Sequence, residues 1–393
     1  MNTATTTEIR HDALLNWRKE FPILEHTTYM ISHSLGAMPR RASDAVREFT
    51  DTWATRGIRA WEEGWWNMPV TVGDLIAPII GAGKGEVVMQ QNVSICQWIV
   101  ASCFDWRGPR NKLVTDGLNF PSNDYIYHGL ERQGARVCQV PSPDGMTLPL
   151  ESLLAAIDEE TRLVSVSHVA FRSSYVQDLA AITRRAHEAG AMVVADLYQS
   201  AGCIPVNVRE LGVDFATGGS VKWLCGGPGA GYLYVRRDLW PTLEPAATGW
   251  QAHREPFSFQ SGPIDFAPDA MRFLNGTPGV PSLYSARSGY EIINEVGVDA
   301  IRAKSLRQTQ LLIDLADEAR FLVRTCRQPE RRGGVVILDV PNGEDVTKEL
   351  ARREVLVDYR PNAGIRIAPH FYTTNEEIEH TLQEIRDIAS RPD

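Results

Sequence analysis

The chain has 393 residues, 43% of them hydrophobic and 23% charged, and this length suits a large domain with a smaller one rather than a single core. Its formal net charge of −9 and the scatter of its basic residues argue against nucleic acid or an anionic membrane as a partner. No apolar run reaches the roughly 18 residues that span a bilayer, and Met1 to Arg10 lack the apolar segment of a secretory signal. The six cysteines show no zinc-binding spacing, so we expect no metal site. Most of them lie in apolar surroundings, which favours buried thiols in a reducing cytosol, so we expect a cytoplasmic protein.

The middle of the chain alternates short apolar strands with amphipathic helices. We predict strands over 86–90, 111–115, 135–140, 162–168, 191–196, 214–218 and 231–235, and helices over 94–104, 125–133, 150–157 and 179–189. Continuous apolar strands in this alternation are typical of a mostly parallel sheet with both faces covered. The sequence therefore predicts an α/β fold around a seven-stranded sheet.

The character of the sequence changes after about Thr277. We predict long helical material over 283–317, then strands over 334–338 and 364–368 and helices over 346–353 and 375–389. The Gly- and Pro-rich stretch 276–281 is the expected boundary between domains. We therefore expect an N-terminal segment (1–40) that contributes to the site, a large domain (41–280) and a small α+β domain (281–393).

The segment 218–229 (GGSVKWLCGGPG) holds the first candidate for chemistry, Lys222. Small residues surround this lysine, and Val221 and Trp223 flank it, so its ammonium group has few routes to solvent. Burial disfavours the charged form, lowers the pKa and makes the neutral amine available for imine formation. The alternative is a surface lysine in a glycine-rich turn.

Asp196 ends the strand predicted over 191–196, at the carboxyl edge where open α/β sheets bind ligands. A carboxylate there can pair with the protonated nitrogen of a pyridine ring and turn the ring into an electron sink. Aspartate is also a favoured cap for the turn that follows. The two roles are compatible, and the residues alone leave both open.

Two further features suit a flat, phosphorylated ligand. Asn92 and Val93 stand between a predicted strand and a predicted helix, where backbone N–H groups can hold a phosphate, and Ser220 offers a nearby hydroxyl. Phe120 follows another predicted strand and can stack on a flat ring, although a lone aromatic residue more often belongs to the core.

Arg366 lies between isoleucines in the strand predicted over 364–368, where a buried arginine needs a partner. Its planar fork suits bidentate capture of a carboxylate, here the α-carboxylate of an amino acid. The alternative is an edge-strand arginine that points into water.

Asp196, Lys222 and Arg366, in this order and spacing, resemble the class V aminotransferase group of fold-type I pyridoxal-phosphate (PLP) enzymes. The likeness runs from about Tyr29 to the C-terminal helix. Within the group the chain looks most like the kynureninase family, in the stretches 34–37 (SLGA), 58–61 (IRAW), 119–121 (NFP), 227–229 (GPG) and 372–374 (YTT). The run 222–225 (KWLC) is instead similar to isopenicillin N epimerase-type relatives.

The resemblance implies a role for each of these residues. Lys222 is the Schiff-base lysine for PLP, Asp196 binds the ring nitrogen and Phe120 stacks on the ring. Arg366 binds the substrate carboxylate. The implied activity is cleavage of a side-chain bond of an L-amino acid, with aminotransfer, desulfuration and epimerisation as alternatives and a non-catalytic protein of the same fold as a different class.

The resemblance also implies a second subunit. Trp250 and Thr277 match positions that reach the cofactor phosphate of the other subunit in kynureninase. We therefore expect a homodimer whose two sites are shared across the interface, which is also the commonest symmetry of soluble assemblies.

Three polar positions depart from the kynureninase pattern. A tyrosine immediately before the lysine, whose phenol helps to hold the phosphate and takes part in proton transfer, is here Val221. A histidine three residues after the aspartate is Gln199, which we keep as a cofactor contact, and an acidic residue three after the phenylalanine is Asn123. PLP binding is still expected, but kynurenine is expected to be a poor substrate.

The substrate side offers candidates only. His33 and Ser34 lie in the N-terminal region that faces the site in relatives, and His33 suits either a catalytic acid or base or a satisfied turn histidine. A tryptophan cluster either lines an aromatic pocket or covers the core, which we favour. The remaining candidates are Trp61, Trp65 and Trp66 of that cluster, and His168 and Arg172 after a strand end.

Overall fold

The computed structural model describes residues 12–390, so the predicted absence of a signal at Met1 to Arg10 concerns residues outside this range. The α-helices are α1 (Arg40–Arg56), α2 (Met68–Ile80), α3 (Val93–Ala101), α4 (Pro121–Leu130), α5 (Leu150–Ala155), α6 (Leu179–Glu188), α7 (Val208–Leu211), α8 (Val280–Val296), α9 (Val298–Glu318), α10 (Gly343–Arg352) and α11 (Asn375–Ala389). The strands are β1 (Thr28–Tyr29), β2 (Val87–Gln90), β3 (Lys112–Asp116), β4 (Arg136–Val140), β5 (Thr161–Ser167), β6 (Met192–Asp196), β7 (Phe215–Gly219), β8 (Gly231–Val235), β9 (Leu322–Val323), β10 (Val336–Asp339), β11 (Val355–Leu356), β12 (Asp358–Arg360) and β13 (Gly364–Ile367).

The centre of the molecule is a seven-stranded sheet in the order β2-β8-β7-β6-β5-β3-β4. Strands β4, β3, β5, β6 and β7 pair in parallel, whereas β8 runs antiparallel to both of its neighbours, β7 and β2. The prediction of an α/β fold around a mainly parallel sheet is confirmed, and the seven predicted strands are the seven strands of this sheet.

Both faces of the central sheet are covered by apolar side chains. In β6, for example, Val193 packs into one hydrophobic cluster and the next residue, Val194, packs into another. Successive side chains of a strand point to opposite faces. The apolar, nearly continuous composition of these strands is therefore the composition that a two-sided core requires.

A second, antiparallel sheet has the order β12-β13-β10-β9, and helices α9, α10 and α11 pack beside it. The N-terminal segment joins this region, because β1 pairs in parallel with β11 and Ile31 bridges to Ala368. An ion pair between Arg18 and Glu377 (2.8 Å) adds to this attachment. The first described residues of the chain are thus bound to the last.

Helix α8 begins at the predicted domain boundary and packs on α1 and α2. The helix just after residue 280 therefore lies against the part of the chain assigned to the large domain. The division into 1–40, 41–280 and 281–393 stays a prediction.

Within residues 12–390, none of the helices combines the length and the apolar character that crossing a membrane requires. In the same range, no cluster of three or more His, Cys, Asp or Glu side chains has an arrangement that could hold a metal ion.

Candidate active site

A cavity of about 340 Å³ lies at the carboxyl edge of the central sheet. The ends of β5, β6 and β7 and the starts of α3 and α4 contribute to it, and β12 and β13 of the second sheet close the far side. Nine of the predicted site residues line this cavity: His33, Ser34, Asn92, Val93, Phe120, Asp196, Gln199, Lys222 and Arg366. The residues were predicted from separate stretches, and the convergence of parallel strand ends brings them together.

Lys222 follows β7 in a turn and points into this cavity, half-buried. Its Nζ atom lies 4.3 Å from the ring centroid of Tyr198 and 5.8 Å from that of Phe120. The pKa of Lys222 is lowered to about 8, chiefly by burial, with the charges of Arg366 and Arg360 acting in the same direction and that of Asp196 opposing them. At neutral pH this shift gives a much larger share of neutral amine than a free lysine has.

Asp196 is buried at the end of β6, and both of its carboxylate oxygens already have a hydrogen-bond donor. Oδ1 accepts the backbone N–H of Tyr198, and Oδ2 accepts Nδ2 of Asn123, each at 2.9 Å. Burial raises the pKa of Asp196, and the two donors and the charge of Lys222 act in the opposite direction. Asp196 is therefore a turn cap, and its buried carboxylate also lines the cavity.

The first turn of α3 offers free backbone donors to the cavity. The first four N–H groups of a helix lack partners within the helix. Here Asn92 provides two partners, because its Oδ1 accepts the N–H of Ile95 and its carbonyl accepts the N–H of Cys96. The N–H groups of Val93 and Ser94 are left without an acceptor in residues 12–390, which is the arrangement that binds a phosphate.

Arg366 is buried, as predicted, and its partner is a residue that the sequence reasoning missed. Asp358 stands directly opposite Arg366 in the β12–β13 pair and accepts from Nε at 2.7 Å and from Nη2 at 2.5 Å. The carbonyl of Phe171 accepts from Nη1. Of the five N–H groups of an arginine, these contacts take three, which leaves one on each terminal nitrogen for an incoming carboxylate.

Asp358 also holds two other basic side chains. His33 places Nε2 at 3.2 Å from Asp358, and Arg360, which lines the cavity, places Nη2 at 3.2 Å. Burial, with the charge of Arg366, lowers the pKa of His33 to about 4. His33 is therefore a neutral imidazole near neutral pH, engaged through one nitrogen, and its buried Nδ1 has no partner in the described chain.

Gln199 joins the N-terminal segment to the loop between β7 and β8 (residues 220–230), which holds Lys222 and Trp223. Its amide oxygen accepts Nε1 of Trp223 (3.0 Å), and its amide nitrogen donates to the carbonyl of His33 (3.1 Å). Both ends of the amide are thus engaged within the chain, so any contact of Gln199 with a cofactor comes in addition to these bonds.

Three predicted cofactor contacts lie outside the cavity. The hydroxyl of Ser220 is buried and donates to the carbonyl of Ala230 (2.6 Å), beside the hydroxyl of Tyr290. Trp250 and Thr277 line a separate, aromatic hollow of about 930 Å³. A direct role of Ser220 at a phosphate thus finds no support in its position, and roles for Trp250 and Thr277 need a second subunit.

The remaining candidates divide between core and surface. Trp65 is buried and donates Nε1 to the hydroxyl of Tyr284 (3.2 Å), as expected for a core residue, whereas Trp61 and Trp66 line the aromatic hollow. His168 is buried with a pKa lowered to about 4, chiefly by burial, and does not line the cavity. Its neighbour Ser167 does, because successive residues of a strand point to opposite faces.

Tyr198 is the cavity residue that sequence reasoning missed most completely. It follows Asp196 by two residues. Its ring centroid lies 4.3 Å from Nζ of Lys222, closer than the ring centroid of Phe120 at 5.8 Å. The signal was present, since Tyr198 and Lys222 follow two adjacent strands at one edge of the sheet.

The cavity offers a suitable group for each part of PLP. Free N–H groups at α3 suit its phosphate, the buried carboxylate of Asp196 suits a protonated ring nitrogen, and the exposed ring of Phe120 suits a flat partner. The amine of Lys222, with its lowered pKa, suits an aldehyde.

Comparisons with known proteins agree with this fit. The sequence model of the class-V aminotransferases matches residues 29–380. The kynureninase of Pseudomonas fluorescens is 32% identical over 97% of this chain and 93% of its own length. An uncharacterized aminotransferase of Bacillus subtilis (strain 168) is 33% identical over 94% of this chain and 96% of its own length.

A solved structure shares the fold at lower identity. The apo cysteine desulfurase from Thermococcus onnurineus NA1 superposes with a TM-score of 0.84 at 22% identity, over 95% of this chain and 97% of that one.

Proposed function

Because the chain belongs to the class V aminotransferase family of PLP-dependent enzymes, we propose that it cleaves a side-chain bond of an L-amino acid, as a lyase or hydrolase related to kynureninase. The observation that carries the proposal is the meeting of Lys222, Asp196 and Arg366 in one cavity of about 340 Å³, a volume suited to a small ligand. The kynureninase relative at 32% identity supports side-chain cleavage over the other reactions of the family.

Five residues would hold the cofactor. The amine of Lys222 binds it covalently, Asp196 pairs with its ring nitrogen, and Phe120 stacks on the ring. The N–H groups of Val93 and Ser94, at the start of α3, bind the phosphate, with the helix dipole favouring the negative charge. When bound, PLP draws electrons away from the Cα atom of the substrate and so allows a proton to leave it.

The chain's own residues then bind the substrate and move the proton. Arg366 binds the α-carboxylate with its two remaining N–H groups while Asp358 fixes the orientation of the guanidinium. Lys222 would accept the α-proton as general base, because its Nζ points into the same cavity. Its lowered pKa suits this task, since much of the amine is neutral near pH 8.

We further propose that kynurenine is a poor substrate, turned over at least about 100-fold more slowly than the true one. Val221 and Gln199 stand where the kynureninase resemblance has a tyrosine and a histidine, and neither can exchange a proton. His33 is neutral with a pKa of about 4 and is held by Asp358, so it is a weak base. The true substrate is then another β- or γ-substituted L-amino acid.

A panel of L-amino acids, kynurenine included, tests the proposal through product mass spectrometry. We expect cleavage of one member and little anthranilate from kynurenine. Efficient release of anthranilate would contradict the kynurenine prediction, and Val221→Tyr with Gln199→His should raise any residual activity on kynurenine.

The second candidate is aminotransfer, favoured by the Bacillus subtilis relative. The two reactions are separated by adding a 2-oxo acid as amino acceptor, because aminotransfer turns over only in its presence whereas side-chain cleavage does not need it. Desulfuration has less support, since none of the six cysteines lines the cavity to take up sulfur. Epimerisation is tested by exchange of the α-hydrogen with inversion.

We also propose that the enzyme is a cytoplasmic homodimer. All six cysteines are free thiols, which suits a reducing compartment. Trp250 and Thr277 line a hollow that also exposes Ile58, Phe257 and Phe259, and this apolar surface suits burial against a second copy.

A further inference from the structure

We propose that Tyr198 supplies the phenol that is absent at Val221, and that its hydroxyl donates a hydrogen bond to the phosphate of the bound cofactor. The inference rests on the proposed cofactor site and assigns a residue that neither the motifs nor the family resemblance marked. The kynureninase resemblance has a tyrosine immediately before the lysine, and this chain has lost that phenol. Another phenol lines the same cavity.

The position of Tyr198 is that of a ligand contact rather than of a core residue. Its side chain is half-buried and lines the cavity together with Asn92 and Val93. Its ring centroid lies 4.3 Å from Nζ of Lys222. The hydrogen bond that Tyr198 donates comes from its backbone N–H, and no hydrogen bond within residues 12–390 involves its hydroxyl, so this donor is free to serve a bound group.

Two glycines locate this hydroxyl relative to the phosphate donors. Gly219 in β7 pairs directly with Gly231 in β8. A Cβ atom added at Gly219 would lie 2.6 Å from the hydroxyl of Tyr198, and one added at Gly231 would lie 2.9 Å from Cα of Asn92. Cβ atoms of directly opposed residues share one face of an antiparallel pair, about 4.5–5.5 Å apart. The phenol and the start of α3 therefore lie over adjacent strands on the same face of the sheet.

The absence of a side chain at Gly219 makes this placement possible. A Cβ atom there would also lie 2.6 Å from Cζ of the Tyr198 ring, closer than real Cβ contacts. Tyr198 and Gly219 thus form a matched pair, in which the glycine provides the space that the ring fills.

The phenol acts as a donor rather than as an acid or base. Burial raises the pKa of Tyr198, and the charge of Asp196 raises it further, so the hydroxyl keeps its proton in the working pH range. A protonated phenol can hold a phosphate dianion but does not replace the proton-transfer role of the missing tyrosine. The expected weakness toward kynurenine therefore stands beside this inference.

Tyr198→Phe tests the inference because it removes only the hydroxyl. Apoenzyme is titrated with PLP and, separately, with pyridoxal, which lacks the phosphate, and dissociation constants are read from absorbance. A hydrogen bond to a charged group predicts a Kd for PLP raised about 10- to 100-fold, with the Kd for pyridoxal unchanged. The matched control is Tyr232→Phe, which removes a buried hydroxyl that lies near Gly218 and outside the cavity; both Kd values should stay at the wild-type level.

The outcomes separate this inference from the proposed function. Tyr198→Phe/Val221→Tyr should restore PLP affinity, because it returns a phenol to the family position. A Tyr198→Phe enzyme that binds PLP as tightly as wild type overturns the inference, and so does an equal loss of PLP and pyridoxal binding. A wild-type protein that binds no PLP at all would instead sink the proposed function.

Discussion

Arg366→Lys should raise the KM for the true substrate about 10- to 100-fold and change kcat less. A lysine presents one point charge and cannot donate in parallel to Asp358 and to a substrate carboxylate. Arg366 makes two bonds to Asp358 and has two N–H groups left for the substrate. Charge-assisted hydrogen bonds contribute about 1.5–3 kcal/mol each, and about 1.4 kcal/mol is a factor of ten in binding. Loss of one such bond therefore gives the stated range.

The assay compares the substrate with its α-amide. The amide lacks the carboxylate that Arg366 is proposed to bind, so its KM should be similar in wild type and in Arg366→Lys. Arg360→Lys is the matched control in the same cavity, because Arg360 is half-exposed and meets Asp358 through a single contact at 3.2 Å. An exposed pair of this kind contributes little, and the control should move the KM much less.

Two results would refute the reasoning. Equal KM values for the acid in wild type and in Arg366→Lys would mean that Arg366 serves only to neutralise Asp358. An equal rise in the KM for the acid and for the amide would mean that the variant disturbs the cavity as a whole. A lowered melting temperature alone would decide nothing against the prediction, because the amide reports on the intact remainder of the site.

Three further predictions concern the cofactor and the assembly. Borohydride reduction should trap PLP on Lys222 and not on Lys304, whose amine already contacts Asp12 and the Phe371 carbonyl. The pKa of Lys222 is lowered to about 8, so its amine loses the proton as the pH rises through that value. Uptake of PLP by the apoenzyme should therefore accelerate as the pH is raised through about 8. Asp196→Asn should reduce kcat far more than PLP affinity, since the ring nitrogen loses its charged partner, and near-normal turnover would reduce Asp196 to a turn cap. Sedimentation should give a dimer, and Trp250→Ala should weaken PLP binding; an active monomer at assay concentration would contradict the shared site.

The sequence predicted the central α/β fold well because its strands carry a strong local pattern. The strand predicted over 191–196, for instance, matches β6 (Met192–Asp196) with one extra residue at its start. The antiparallel direction of β8 was not predictable, since direction depends on how the chain crosses the sheet and not on composition. The two-residue strands β1 and β11 exist only through their mutual pairing, so no local pattern marks them.

In the candidate site, too, residues with a clear local signal were predictable, whereas residues whose role depends on strand pairing were not. Lys222, Asp196 and Arg366 could be found because each is a polar residue in apolar or glycine-rich surroundings next to a strand. Asp358 could not, because its meaning depends on the register that sets it opposite Arg366. Ser220 looked suitable by spacing, but its hydroxyl is directed into the core toward Ala230. The roles of these residues in catalysis stay predictions.

The attachment of the N-terminal segment to the C-terminal region has a consequence for synthesis. Thr28 and Tyr29 leave the ribosome long before Val355 and Leu356, the residues with which they pair. Contacts so distant in sequence form late and slow the completion of folding. During translation the central sheet can therefore assemble while His33 and Ser34 still lack their final positions, and the cavity closes last. Nascent chains of this enzyme would then keep the side of the cavity that holds Lys222 open to solution until β12 and β13, which close its far side, have been synthesised.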